Sequence, residues 1–142
     1  MLGIVRRIRT DAERHICYEI RTKVFVDEQG VPLEEELDAY DAVASHYVVE
    51  VRGAIIGTAR LVDLGDGVGK IGRVAILKEH RNRGLGSELI RLLIDEGFAG
   101  CHTLVLDSQL SAIPFYERFG FWSEGDIFLD AGIEHRRMKL SL

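Results

Sequence analysis

Apolar and polar positions along the chain switch between a period of two and a period near 3.6, and the switches mark out the elements. Ile4 to Arg9 predicts a first strand. Thr10-Asp11-Ala12-Glu13 then has the form of a capping box, with Thr10 as N-cap and Glu13 reaching back to it. Ile16, Ile20 and Val24 recur at helical spacing and predict a helix ending near Phe25 or Val26. Gln29-Gly30-Val31-Pro32 breaks it, because a proline disfavours helical backbone at the residue before it. Leu33 to Leu37 predicts a short second helix. Ser45–Val51 and Ala54–Val62 read as strands joined at Arg52-Gly53, and Lys70–Leu77 follows the turn Leu64–Gly69 to complete an antiparallel meander. A helix then runs to about Ala99, with Gly100 as its terminator. Thr103–Leu106 is a short buried strand. Ser111 is placed to cap a helix through Arg118, with Pro114 in the first turn where its missing N–H costs little, and Gly120 ends it. Phe121–Leu142 divides into two strands around Asp130-Ala131-Gly132. The class is α/β in the α+β sense: a single domain over residues 1–142 with a mixed, mostly antiparallel central sheet flanked by helices.

The stretch from Val74 to Ser87 changes the picture from packing to chemistry. An apolar strand gives way to Arg81-Asn82-Arg83-Gly84-Leu85-Gly86-Ser87, and Leu89, Ile90, Leu93 and Ile94 then lie on one face of the next helix. The first turn of a helix carries unpaired N–H groups and the positive end of the helix dipole. Glycines let that backbone approach an anion closely. Arg81 and Arg83 add charge at the same spot, so the turn suits a phosphate or diphosphate. Gly65 to Lys70 has a superficial likeness to a P-loop, but its spacing is too short and Ile71 stands where a hydroxyl is needed.

Composition narrows the function classes. No apolar run approaches the ~18 residues needed to span a membrane, and the N-terminus lacks the long apolar core of a signal peptide. Cys17 and Cys101 fit no metal spacing and read as reduced core residues, pointing to a cytoplasmic protein. The five histidines form no ligand pair of recognised spacing, so no metal is expected. The net charge is −5, and residues 27–41 hold seven of the 23 acidic side chains and none of the 18 basic ones. Without a basic excess, nucleic acid is an unsuitable partner and a small cationic substrate suits the chain better.

Two motifs carry a family resemblance. Arg81-Asn82-Arg83-Gly84-Leu85-Gly86, opening a helix straight after a strand, resembles the acyl-CoA pyrophosphate loop of the GNAT superfamily of N-acetyltransferases. Ala112-Ile113-Pro114-Phe115-Tyr116-Glu117-Arg118-Phe119-Gly120-Phe121 is similar to the superfamily's late helix, A-x-x-x-Y-x-x-x-G-F. The family often has Asn three residues before that alanine, and Gln109 stands there, keeping an amide. Gln109, Phe25 to Pro32 and Gly132-Ile133-Glu134-His135 together resemble the ElaA-like branch. The resemblance spans nearly the whole chain and implies a GNAT-type acyl-CoA N-acyltransferase fold that binds acetyl-CoA as co-substrate. Backbone groups of Val74, Ala75 and Ile76 would pair with the pantetheine arm like an added strand. The N–H groups of Arg83 to Ser87 would hold the diphosphate, with Arg81, Asn82, Gln109 and Phe115 completing the coenzyme site. The thioester would lie where strand 70–77 parts from strand 103–108. GNAT relatives are often dimers, so a homodimer is a partner that the resemblance suggests.

Acetyl transfer to an amine needs a neutral amine, a stabilised oxyanion and a protonated leaving thiolate. A backbone N–H at 74–76 is a candidate oxyanion donor. Tyr116 is the candidate general acid, since an ordinary phenol suits protonating a thiolate better than removing protons. For the base, Asp27, Glu28, Glu79 and His80 lie near candidate loops, and Glu28 is taken forward because its region shapes the acceptor pocket in GNAT enzymes. Glu34, Glu35, Glu36 and Asp38 either attract a cationic acceptor or form a solvated face. His135 is expected to hydrogen-bond structurally, and nothing near Cys101 supports a covalent acyl-enzyme. The expected activity is direct acetyl transfer to a primary amine of a small molecule or protein, with a non-catalytic acyl-CoA sensor of the same fold as the alternative.

Overall fold

The computed structural model describes residues 3–142. Seven strands form one sheet: β1 (Ile4–Arg7), β2 (Ser45–Val51), β3 (Ala54–Gly65), β4 (Val68–Ile76), β5 (Thr103–Gln109), β6 (Trp122–Asp130) and β7 (Ile133–Ser141). The spatial order is β1-β2-β3-β4-β5-β7-β6. Every neighbouring pair is antiparallel except β4 and β5. A parallel pair needs a crossover, and α3 (Leu85–Phe98) supplies it. The predicted strand boundaries at 45–51 and around the turn at 131–132 agree with the structure, whereas β3 and β5 each run three residues further than expected.

Helices cover both faces. Leu85, Leu89, Ile90 and Leu93 of α3 are almost wholly buried against Tyr47, Val49, Ile71, Leu104, Leu106 and Met138. On the other face, α1 (Asp11–Arg21) and its continuation pack Ile20 and Val24 onto Ala75. Residues alternate sides along a strand, so β2 sends Tyr47 and Val49 into the α3 core while Val48, 0% exposed, is buried on the opposite face.

Several local expectations are corrected. Thr10 does cap α1, accepting the Glu13 N–H, but the Glu13 carboxylate takes the Arg9 N–H at 2.7 Å and the Arg6 guanidinium rather than closing a box on Thr10. The helix does not stop at Phe25 or Val26; it widens into a π-helical stretch, Thr22–Glu28. Gly30 then adopts φ +75° and its N–H bonds to Val26 O, the 5→1 bond of an αL stop, while Val31 N–H reaches back to Phe25 O. Ser111 caps nothing: a 3-10 turn over Leu110–Ala112 intervenes, and α4 (Ile113–Glu117) starts without a side-chain cap.

Within the acidic run of residues 34–41, Glu36 and Asp41 are buried in ion pairs, whereas Glu34 and Glu35 stay exposed. Arg21, only 1% exposed, donates to Glu36 Oε1 at 2.7 Å and to Asp41 Oδ1 at 2.7 Å. Arg60 bridges Asp38 and Asp41 at 2.7 and 2.8 Å, and Arg73 reaches Asp38 at 3.2 Å. Three guanidinium groups thus match Glu36, Asp38 and Asp41 in a network that ties α1, α2 (Leu33–Glu36) and the 3-10 turn at 39–42 to β3 and β4. His46 Nε2, also buried, bonds to Asp41 O at 2.9 Å. Hydrogen bonds from Arg60 hold the Asp38 carboxyl below the usual range. Burial works against the Asp41 charge, but Arg21 and Arg60 outweigh it and hold that carboxyl low as well. Depressed carboxyl pKa values contribute stability above the unfolded range of about pH 4, and that contribution is lost as pH falls through the folded values. Removing one partner of a buried pair strands the others, so Arg21→Ala should destabilise the fold by about 3–5 kcal/mol, read by urea denaturation at neutral pH. The deficit should shrink as pH is lowered and the carboxylates protonate.

Candidate active site

β4 and β5 pair only through Val68–Thr103, Gly69–Leu104 and Lys70–Val105 and then part. Beyond Lys70, β4 continues to Ile76 with β3 on one side and an open edge on the other. A bulge accompanies the parting: the β3 register shifts between Thr58 and Arg60, opposite Arg73, whose φ is +53°. The gap holds a cavity of about 310 Å³, lined among others by Phe25, Gln29, Val74, Gln109, Tyr116 and His135. A second cavity of about 420 Å³ lies at the start of α3, lined by Ile76, Asn82, Gly84, Leu85, Gly86, Ser87 and Phe115. Val74 faces the first and Ile76 the second, while adjacent Tyr116 and Phe115 are divided the same way. The end of β4 and α4 therefore form the walls of one trough with two chambers.

The second chamber opens on the uncapped start of a helix. Gly84 is the N-cap of α3, at φ +79°, and no side chain caps the helix. Asn82, at φ +63°, bends the chain so that the first-turn amides face the cavity rather than a strand. His80 lines the same chamber with a buried Nδ1 that has no partner among the described residues. Arg118 also lines it, lying over the Phe115 ring at 5.3 Å. Neither residue was singled out for this role from sequence; the position of Arg118 three after Phe115, one helical turn on, is the signal that could have found it. Arg83, expected beside the anion, is not among the residues lining this chamber.

Arg81 is engaged differently from the expectation. Its Nε donates to Ile76 O at 2.8 Å, and its two terminal nitrogens reach both oxygens of Glu28, each at 2.9 Å. Leu77 N–H bonds to Ile56 O of β3, so the carbonyl of the same trans peptide, Ile76 O, points away from β3 into the trough. Arg81 therefore occupies one of the backbone acceptors expected to pair with a pantetheine arm, leaving the Ile76 N–H on that side. Glu28 does not line the chamber containing Tyr116, and its carboxylate is clamped by a guanidinium. Glu28 is thus the ion-pair partner of Arg81. The side chain of Ala75 packs under α1 with Ile20 and Val24, and its backbone, in register with Thr58, faces β3 rather than the open edge.

The first chamber holds the titratable groups. Tyr116 is 9% exposed, and burial alone pushes its phenol up to about 12, keeping it protonated throughout the neutral range. Gln109 donates to Gln29 Oε1 at 2.9 Å, bridging β5 to the end of the π-helical stretch. Burial opposes the charge of Asp107, yet hydrogen bonds from Arg137 and Lys70 hold its carboxyl below the usual range. His135 stacks on Phe128 with ring centroids 5.9 Å apart, and its Nδ1 lies 2.7 Å from Ile133 O. Cys17 and Cys101 are both free, and neither lines a chamber. Among the described residues no helix is long and apolar enough to cross a membrane, and no cluster of His, Cys, Asp or Glu is arranged for a metal ion.

The sequence model of the Acetyltransferase (GNAT) family matches residues 14–121, from the body of α1 to the end of α4's loop. The chain belongs to the GNAT family. YjcF of Bacillus subtilis, an uncharacterized N-acetyltransferase, is 39% identical over 128 residues, covering 86% of this chain and 88% of YjcF. The crystal structure of Escherichia coli ElaA shares the fold with a TM-score of 0.85 at 21% identity, covering 98% and 99% of the two chains. A GNAT family acetyltransferase from Elizabethkingia anophelis, with acetyl-CoA bound, shares the fold with a TM-score of 0.77 at 16% identity, over 99% and 98%. As a GNAT acyltransferase, the chain makes a sharp prediction about its anion chamber. A Cβ on Gly86 would meet only Phe115, at 3.7 Å, and Gly86 lies in the first turn of α3, where an acidic side chain favours the helix. Gly86→Asp should therefore keep its melting temperature while binding coenzyme A at least tenfold more weakly by calorimetry, because a carboxylate at the start of α3 repels an anion there.

Proposed function

We propose that this protein transfers the acetyl group of acetyl-CoA directly to a primary amine of a small molecule or protein. The observation that carries the reading is the trough: an open strand edge, running from the uncapped start of α3 to a buried phenol at the parting of β4 and β5. The diphosphate would lie on the amides of residues 83–87, with Asn82, Ser87, Phe115 and Arg118 around it. The amide-bearing arm would run along Val74 to Ile76, using their outward backbone groups in place of a strand partner. Its thioester would then reach the first chamber beside Tyr116.

There the chain's own groups have separate tasks. A backbone N–H at 74–76 donates to the oxygen that gains negative charge when the amine attacks. The Tyr116 hydroxyl, protonated because burial disfavours the phenolate, supplies the proton to the departing thiolate. Gln109 and Gln29 brace the wall between the two. Arg81 and Glu28 neutralise each other at the junction of the chambers, so Glu28 acts on the geometry of the loop rather than on the acceptor. The free thiols and the acyl-CoA chemistry support a cytoplasmic setting.

Thiol release from acetyl-CoA with a panel of primary amines tests the reading. Tyr116→Phe should lower kcat by about 10²-fold or more while leaving acetyl-CoA affinity unchanged. An unchanged kcat removes Tyr116 from the chemistry, and a wild type that binds acetyl-CoA yet releases no thiol with any amine favours the sensor alternative. Glu28→Gln should keep kcat within about threefold of wild type; a loss near 10²-fold would restore it as the base.

A further inference from the structure

The reaction still lacks a group to take the proton from the attacking nitrogen, and the first chamber contains one that the sequence places in a structural role. His135, the third residue of β7, lies directly opposite Gln109 of β5, and it lines the chamber that also contains Tyr116. Its Nδ1 lies 2.7 Å from Ile133 O, within its own turn. A carbonyl oxygen can only accept, so Nδ1 carries the hydrogen of that bond. In the neutral ring, Nε2 is then left with the lone pair. Phe128 stacks on the ring at an interplanar angle of 24°, so the turn bond and the aromatic contact together fix both tautomer and orientation.

The charged groups sharing the chamber offer no better acceptor. Glu36 and Arg73 belong to the buried ion network, and Asp107 is paired with Lys70 and Arg137. Glu35 and Asp130 are exposed carboxylates whose side chains no described residue holds in place. An imidazole is the side chain whose ordinary ionisation falls nearest neutral pH, which is where a general base is most effective.

Resting on the transferase reading above, we propose that His135 Nε2 is the general base for the acceptor amine. Nε2 takes an N–H proton from the amine as the nitrogen bonds to the thioester carbon. The tetrahedral oxyanion collapses, the C–S bond breaks, and the departing thiolate takes the Tyr116 hydroxyl proton. The phenolate recovers a proton from the imidazolium through solvent, so amine and thioester become amide and thiol with all protons accounted for.

Two measurements test this. Long-range ¹H–¹⁵N NMR of the wild type should show His135 as the Nδ1–H tautomer when neutral; an Nε2–H tautomer overturns the proposal. His135→Asn retains a donor near the Nδ1 position for Ile133 O but has no basic nitrogen, and His135→Gln serves if the first variant is unstable. With the most active amine from a panel of tyramine, a short diamine, an amino sugar and a lysine peptide, either variant should lose about 10²-fold or more in kcat/KM. Acetyl-CoA affinity should be unchanged, and the acid limb of the wild-type pH profile should disappear. A variant retaining that limb and kcat/KM within about threefold of wild type overturns the assignment. A loss confined to acetyl-CoA affinity also overturns it, showing a structural role. Failure of the transferase reading looks different: the wild type itself releases no thiol with any amine on the panel, whatever its tautomer.

Discussion

The separation of β4 from β5 after three residue pairs is the constraint on which the rest of the structure depends. A strand edge inside a sheet carries backbone donors and acceptors that must find partners. Here the bulge at Arg73 turns β4 away from its neighbour, and the groups so exposed line a trough rather than a solvent-facing rim. Everything placed around that opening answers to it. α3 begins where β4 ends, so its amides lie at one end of the trough. α4 crosses the gap, so Phe115 and Tyr116 fall on either side of the division. β7 takes the pairing that β5 needs on its far side, and that brings His135 level with Gln109.

The opening has to be held apart from outside. The buried ion network does this from beneath the first helix, because Arg73 at the bulge is also a member of it. Ionic groups at such depth are stable only while every partner is present. The network therefore couples the shape of β4 to the placement of residues 33–42, which wall the first chamber. At the other end, the Arg81–Glu28 clamp joins the glycine turn to the last residue of the π-helical stretch. The two ion-pair systems lie at the two ends of the same helical arm, one fixing its base and the other its tip.

How much of this is visible in the sequence follows from the range of the interactions. Strands 45–51 and 133–141 announce themselves by alternation and turn residues, and the anion cradle by a local order of strand, glycines and helix. These are short-range signals. Arg21 finds Glu36 and Asp41 at separations of 15 and 20 residues, and Arg81 finds Glu28 across 53, so neither pairing leaves a periodic trace. Reading Glu34, Glu35, Glu36 and Asp38 together as one charge run fails at Glu36 and Asp38 for that reason: the guanidinium groups that pair with them come from α1, β3 and β4. Continuation of the first helix in π register, and the failure of Ser111 to cap α4, reflect tertiary packing overriding local preference. In His135 the decisive bond is local, to Ile133 O, but its meaning depends on a chamber that only the folded sheet creates.

The way residues 33–42 are pinned bears on how the protein can diverge. Glu36, Asp38 and Asp41 secure the segment from its inner side, while Leu33, Tyr40 and Val43 beside them stand 57%, 52% and 76% exposed. Outward positions can accumulate substitutions without disturbing the anchors, and the anchors never touch the donor side of the trough. The outer surface of this segment can thus change while the trough behind it keeps its shape.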